Sequence, residues 1–356
     1  MRFPMHIPTI STVLLLAASA IAQTTVTIPC SRDNSLYEDP AGALSGGAGT
    51  GVYAGVSGLG LKRRGLLYFD VAANIPSGAL ILGAQLTINV PQSGGGLNPV
   101  PITVHGHRLL QNWGEGTSVP LGGGGSGAPS TPNDATWIHT FYSSSFWTNP
   151  GGDFAAAASF TIVSPPIGLC SSTPTAAIAN DVQAWLANPA QNFGWLLKTD
   201  ETQAFMALRL DSRENTLGTP PSLQVTYIQS GQTGTWGQGC PVNGQPFALQ
   251  WSGAPIGPTT VQLVQSNGPA GALAANLLSL GFDRTGFPLL PQCNLNLPLL
   301  GVVNAGIFTL SAAGTGTTNV NIPSGYPGLL FASQTAALFP SPAGYVLSNT
   351  ALALLQ

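Results

Sequence analysis

From Ala84 to Val90 the chain alternates residue by residue. Ala84, Leu86, Ile88 and Val90 are apolar, while Gln85, Thr87 and Asn89 are polar. Successive side chains of an extended strand point to opposite faces, so this run buries one face and wets the other. Such a strand needs partners, and the chain supplies candidates. Thr24 to Ile28, Gly65 to Val71, Ile102 to Leu110, Ser159 to Val163, Ala204 to Leu210 and the run Leu223, Val225, Tyr227 all read as short strands. Turns such as Ile75-Pro76-Ser77-Gly78 separate them. Many short strands broken by glycine and proline predict an all-β chain, a sandwich or barrel and not a parallel α/β sheet.

One stretch departs from the pattern. Ile178, Val182, Trp185 and Leu186 fall on one face of a helix. Ser172-Thr173-Pro174 supplies a cap and a proline for its start, and Asn188-Pro189 ends it. Phe193 to Leu197 is then a continuous apolar run of strand length. The periodicity places Trp185 and Trp195 inward.

The chain begins MRFPMHIPTISTVLLLAASAIA, with Arg2 ahead of a short apolar run and Ala20-Ile21-Ala22 as a small-residue cleavage site. This is the pattern of a secretory signal peptide over residues 1–22. No run approaches the roughly 20 apolar residues that span a bilayer. Charged residues make up 6% of the sequence, against about 25% in ordinary soluble proteins. From Ser230 to Gln356 only Asp283 and Arg284 are charged. A surface so poor in cations offers nucleic acid little electrostatic attraction. The expected location is therefore extracellular or at the cell surface.

Residues 23–229 read as one β-module. Residues 230–238, with the sequence SGQTGTWGQ, read as a linker, and 239–356 as a second, smaller β-sandwich. In the second part Phe247–Trp251, Val261–Val264, Ile307–Leu310, Val320–Ile322, Leu329–Phe331 and Ala351–Leu355 are strand-like. The four cysteines divide evenly between the parts. An even count in an exported chain favours disulfides. The expected pairs are Cys240 with Cys293 and Cys30 with Cys170, the alternative being free buried thiols.

Five pieces carry a family resemblance. They are RRGLLYFDV (Arg63 to Val71), IPSGALILGAQLTINV (Ile75 to Val90), HRLLQNWGEG (His107 to Gly116), the Asn180 to Lys198 stretch and DSRENTLGTPPSLQVTY (Asp211 to Tyr227). In this order they resemble the secreted bacterial DNRLRE domains, grouped with carbohydrate-binding module family 96. The resemblance implies an N-terminal jelly-roll β-sandwich with one short helix and without catalytic residues. Relatives of this kind are often attached to polysaccharide-active enzymes or surface proteins, and some are associated with acidic polysaccharides such as alginate. Two departures stand out: Gly122 to Phe154 looks like an insertion, and no hydrolase or lyase domain accompanies the module. The part from Gly239 onward resembles a C-terminal β-domain recurring in exported bacterial proteins.

The expected function is non-enzymatic recognition of an extracellular polysaccharide. The alternative is a structural or adhesive protein of a cell surface or matrix. Sugar rings stack on flat aromatic faces, and Trp137, Tyr142 and Trp147 lie beside glycine-rich loops where exposure is expected. Arg63 and Arg64 belong to the longest basic run and suit the carboxylates of an acidic glycan, the alternative being a solvated strand end. Exposed rings on a concave face favour binding, and buried rings favour structure. No catalytic set emerges: Asp70, Glu115, Asp134, Asp153, Asp211 and Glu214 read as turn or strand-end residues. There is no GxSxG elbow, no CxxC pair and no Lys-Ser/Thr after a glycine run. His105 and His107 share a strand face without an evident third ligand. No metal or other cofactor is expected apart from a structural Ca²⁺ near Asp33, Glu38 and Asp39, which competes with a plain polar turn.

Overall fold

A computed structural model describes residues 23–94, 100–290, 292–340 and 343–356. The signal peptide expected at 1–22 lies outside the described residues. The chain is all-β, as its alternation predicts, with a 12-residue helix and a single helical turn among the strands.

The first half is a β-sandwich. One sheet runs in the order Thr24–Pro29, Ser222–Ile228, Leu80–Val90, Gly168–Ser171. The other runs Phe160–Ser164, Ile102–Arg108, Trp195–Lys198, Lys62–Tyr68, Gly51–Val56, Met206–Asp211, with Arg32–Tyr37 also paired to Lys62–Tyr68. The core between them takes Ile28, Leu86, Ile88, Val90, Leu223 and Val225 from the first sheet. Val52, Leu67, Val104, Ile162, Trp195, Leu197, Leu208 and Leu210 come from the second. The alternating run is placed as its sequence requires: Ala84, Leu86, Ile88 and Val90 are buried, and the polar residues between them are only half-buried.

The helix Ala176–Ala187 plugs this sandwich with Ile178, Val182, Trp185 and Leu186, its expected face. Its cap is Thr175 and not the Ser172-Thr173-Pro174 group: the Thr175 Oγ1 accepts the Ile178 N–H at 3.2 Å and donates to the Ser159 carbonyl at 2.6 Å. A Thr175→Ala variant should therefore lose about 1 kcal/mol, read as a lower urea midpoint at unchanged slope. Asn188 and Pro189 stop the helix as expected, passing into a short 3₁₀ turn at Pro189–Gln191.

The segment 230–238 is not a flexible linker. Gln232–Trp236 is a strand paired antiparallel with Thr350–Leu354. Its Gly and Gln content hides the strand, whose partner lies more than a hundred residues away. The second half is a further sandwich. A six-stranded sheet contains Gln232–Trp236, Thr350–Leu354, Leu330–Pro340, Leu273–Ser279 and Val303–Thr309, with Ala343–Leu347 paired to Leu330–Pro340. It faces a three-stranded sheet of Ala248–Ser252, Thr259–Ser266 and Gly316–Ile322. Thr350–Leu354 is buried throughout. Ala351 and Ala353 face the core shared with Trp251 and Leu263, while Leu352 and Leu354 face the core shared with Phe247 and Leu295.

The two halves are joined by more than the chain. The pairing of Leu80–Val90 with Ser222–Ile228 shifts register between Thr226 and Tyr227. Ile81 thus stays in the first core, whereas Leu82 and Ile228 turn into the core of the second half. A bulge at Leu82 does this for its own strand, because one extra residue reverses the alternation beyond it, while Ile228 reaches the second core by ordinary alternation after Tyr227. Arg284 of the second half adds hydrogen bonds to the Ile81 carbonyl (2.6 Å) and to Gln183 Oε1 (3.0 Å) of the first. No helix among the described residues is long and apolar enough to cross a membrane.

Cys240 and Cys293 form a disulfide, as expected. Cys30 and Cys170 do not: both are free thiols. Cys30 follows the strand at one edge of the four-stranded sheet, and Cys170 lies in the strand at the other edge. Three strand spacings amount to about 14 Å, twice the longest Cα separation a disulfide spans.

Candidate functional site

The larger sheet of the first sandwich has an apolar outer face as well as an apolar inner one. Leu36, Leu66 and Leu196 point outward and are fully buried. The segment after Leu109 folds over them and contributes Trp113, Ala135, Trp137 and Trp147 to a second small core. Trp113 Nε1 donates to the Phe193 carbonyl at 2.8 Å, and Trp147 Nε1 to the Thr136 carbonyl at 2.9 Å. The exposure expected for Trp137 and Trp147 is thus corrected. Both rings are needed to cover the leucines of the sheet.

The basic pair is consumed in the same way. Arg64 is buried and grips Glu201 through two charge-assisted bonds, Nε to Oε1 at 2.7 Å and Nη2 to Oε2 at 2.8 Å. Its guanidinium lies 4.9 Å from the centre of the Trp137 ring. Arg63 is also buried, donating to the Gly125 and Lys62 carbonyls and lying 5.0 Å from the centre of the Tyr37 ring. Neither arginine is free to clamp a glycan carboxylate.

Tyr142 is half-buried, beside the small hairpin of His139–Phe141 and Ser145–Phe146. His139 is edge-on to Tyr142 at 5.1 Å and also stacks on Phe146 at 4.6 Å. Phe146 is 59% exposed. Among the aromatics in the insertion Phe146 is the most exposed, and the tryptophans are buried. The sequence signal for Phe146 is its place at a turn of polar serines.

The carboxylates divide into two groups. Asp70 caps the short helix Val71–Asn74. Asp153 accepts the N–H groups of Thr148 and Asn149, and Asp211 accepts that of Thr219. Asp134 accepts the Thr131 N–H. These are the turn roles expected of them. Glu115 and Glu214 instead converge with Asp33, the three offering ligand atoms within 4.8 Å of one another. Arg213 joins them, donating through Nε and Nη2 to the two oxygens of Glu115 at 2.7 and 2.8 Å, with Glu214 Oε1 3.0 Å from its Nε. Asp33 Oδ2 accepts the Arg213 N–H at 2.7 Å. Burial raises the Asp33 carboxyl well above the usual carboxylate range, and the charges of Glu214 and Glu115 raise it further, against the Arg213 N–H. Glu214 is raised too, by burial first.

Of the two readings open for Asp33, Glu38 and Asp39, a cation site or a plain polar turn, Glu38 and Asp39 fit the second. Glu38 accepts the Lys62 N–H at 2.7 Å, and Asp39 accepts the N–H groups of Ala41 and Ala43. Glu38 is thus spent on the start of the strand Lys62–Tyr68, and Asp39 on its own turn. His105 and His107 are likewise engaged, with Asp200 at 3.1 Å and the Ala155 carbonyl at 2.9 Å.

No protein-family model and no curated protein matches the chain. Two solved structures of Parabacteroides merdae beta-glucuronidase, one with glycerol in its active site, align with 80% of it at 10% and 9% identity. Their TM-scores are 0.17 and 0.18, and the alignments span 28% and 27% of those longer chains. Likeness at that level carries no argument about activity. Fold and site together define an all-β protein of two joined sandwiches.

Proposed function

We propose that this is an exported, non-catalytic protein that serves as a structural or adhesive building block of a cell surface or extracellular matrix. The observation that supports this most is the apolar edge of the second sandwich. Val303–Thr309 is an edge strand of its sheet among the described residues, and Val303 and Ile307 are exposed on it. Leu280, Leu299, Leu300 and Tyr326 are exposed as well, Leu300 to 92%. A 480 Å³ groove lined by Leu278, Leu280, Val303, Tyr326, Leu329 and Phe331 completes the surface. An unpaired edge beside apolar side chains is a template for association. The burial of Trp137, Trp147, Arg63 and Arg64 supports the same reading, since it removes the surface on which a glycan would be held. Fractionation of the native host tests it: the protein is expected with the envelope or matrix, and recovery wholly in free medium overturns the reading.

A second reading, binding of an extracellular polysaccharide, rests on the exposed Tyr142–Phe146 hairpin and on the family resemblance. Affinity electrophoresis through alginate, pectin and sulfated polymers should then show retention that Phe146→Ala removes. Retention on none of them ends this reading.

A further inference from the structure

We propose that Asp33, Glu115 and Glu214 form a binding site for Ca²⁺. The acidic cluster is accompanied by an independent observation. Asp33 is fully buried, and its Oδ1 has no hydrogen-bond partner, nor does the buried Oε2 of Glu214. A buried carboxylate oxygen left without a donor is costly, so such oxygens are found where a ligand completes them.

The charge count points the same way. Three carboxylates face one guanidinium, Arg213. The other nearby arginine, Arg32, is directed elsewhere: it donates to the Trp113 carbonyl at 2.8 Å and stacks on the rings of Tyr68 and Trp113. With the three carboxylates ionised, and with the charge of Arg32 beside Glu115 counted as well, negative charge is still left over, which a bound cation offsets. The donors are all oxygen, which selects a hard cation. Ca²⁺ binds oxygens at roughly 2.3–2.6 Å, so two of its ligands lie at most about 5 Å apart. The 4.8 Å limit within which these ligand atoms lie fits that span. Mg²⁺ demands a near-ideal octahedron, which a cluster with Arg213 holding both oxygens of Glu115 does not offer. Glu115 and Glu214 are only partly buried, so an ion has a way in. Asp33 lies in the strand Arg32–Tyr37, Glu115 in the segment that covers the sheet, and Glu214 just beyond the strand Met206–Asp211. The ion would pin three separate parts of the first sandwich together.

The test uses the full chain, stripped with EDTA and titrated with CaCl₂ by calorimetry, with melting followed in parallel. A single saturable event and a melting temperature raised by several degrees are expected. Both should be lost in Glu214→Gln. That residue is partly exposed, so the variant is expected to keep the wild-type circular dichroism. Asp33→Asn provides a second variant at the buried oxygen. The proposal is overturned if Ca²⁺ gives neither heat nor a melting shift, or if Glu214→Gln binds like the wild type. It is also overturned if the chain gains stability on mild acidification with no response to Ca²⁺, because the carboxyls then share a proton instead of an ion. A response to Mg²⁺ alone overturns the choice of cation.

Discussion

Replacing Trp195 by alanine is expected to cost about 3–5 kcal/mol, the range of a large core truncation. The ring is fully buried and meets Trp185 at 4.5 Å, Phe160 at 5.3 Å and Phe69 at 6.1 Å between centres. It therefore ties the larger sheet to the helix that plugs the sandwich. Its Nε1 also donates to Asp181 Oδ2 at 2.8 Å. Asp181 is mostly buried, and burial already raises its carboxyl above the usual range, so losing a donor adds to the cost. Chemical unfolding should show the midpoint falling far more than in Thr175→Ala. A Trp195→Phe variant should recover most of the packing but not the hydrogen bond. An alanine variant as stable as wild type would show that the first core does not depend on this ring.

The second large effect is expected at the disulfide. Cys240 and Cys293 are 53 residues apart, and closing a loop of that length stabilises the folded chain by about 4 kcal/mol in the chain-entropy account. The double variant Cys240→Ser/Cys293→Ser should lose stability of that order. The covalent state has its own check. Denatured but unreduced protein should expose two titratable thiols, Cys30 and Cys170, and two more after reduction. No titratable thiols before reduction would restore the pairing of Cys30 with Cys170.

The parts of the fold that were legible in the sequence are those set by local periodicity. Ala84 to Val90 and the helix face of Ile178, Val182, Trp185 and Leu186 are read correctly because each pattern reports its own burial. The linker is misread because a Gly- and Gln-rich run gives no periodicity, and its strand character comes only from pairing with Thr350–Leu354. The exposure of Trp137 and Trp147 is misread for a related reason. Glycine-rich surroundings suggest a loop in solvent, yet the strands beneath, around Leu36, Leu66 and Leu196, have no wet face. A signal for this was present in Trp195-Leu196-Leu197 and Leu66-Leu67. An unbroken apolar run in a strand means that both faces are covered, and something in the chain must do the covering. The acidic cluster had no such signal. Asp33, Glu115 and Glu214 are distant in sequence, and only strand order brings them together. The same ignorance of strand order made Cys30 and Cys170 look like a pair.

The placement of Thr350–Leu354 bears on how the protein is made. This strand comes last among the described elements, yet it sits inside its sheet and feeds both cores of the second half. A chain that emerges N-terminus first can close its first sandwich once residue 228 is out. The second sandwich must wait, with its apolar strands uncovered, until the final strand arrives. While the chain is being made, that interval is when it is most open to misassembly, and a chain clipped just before Thr350 would remain in that state.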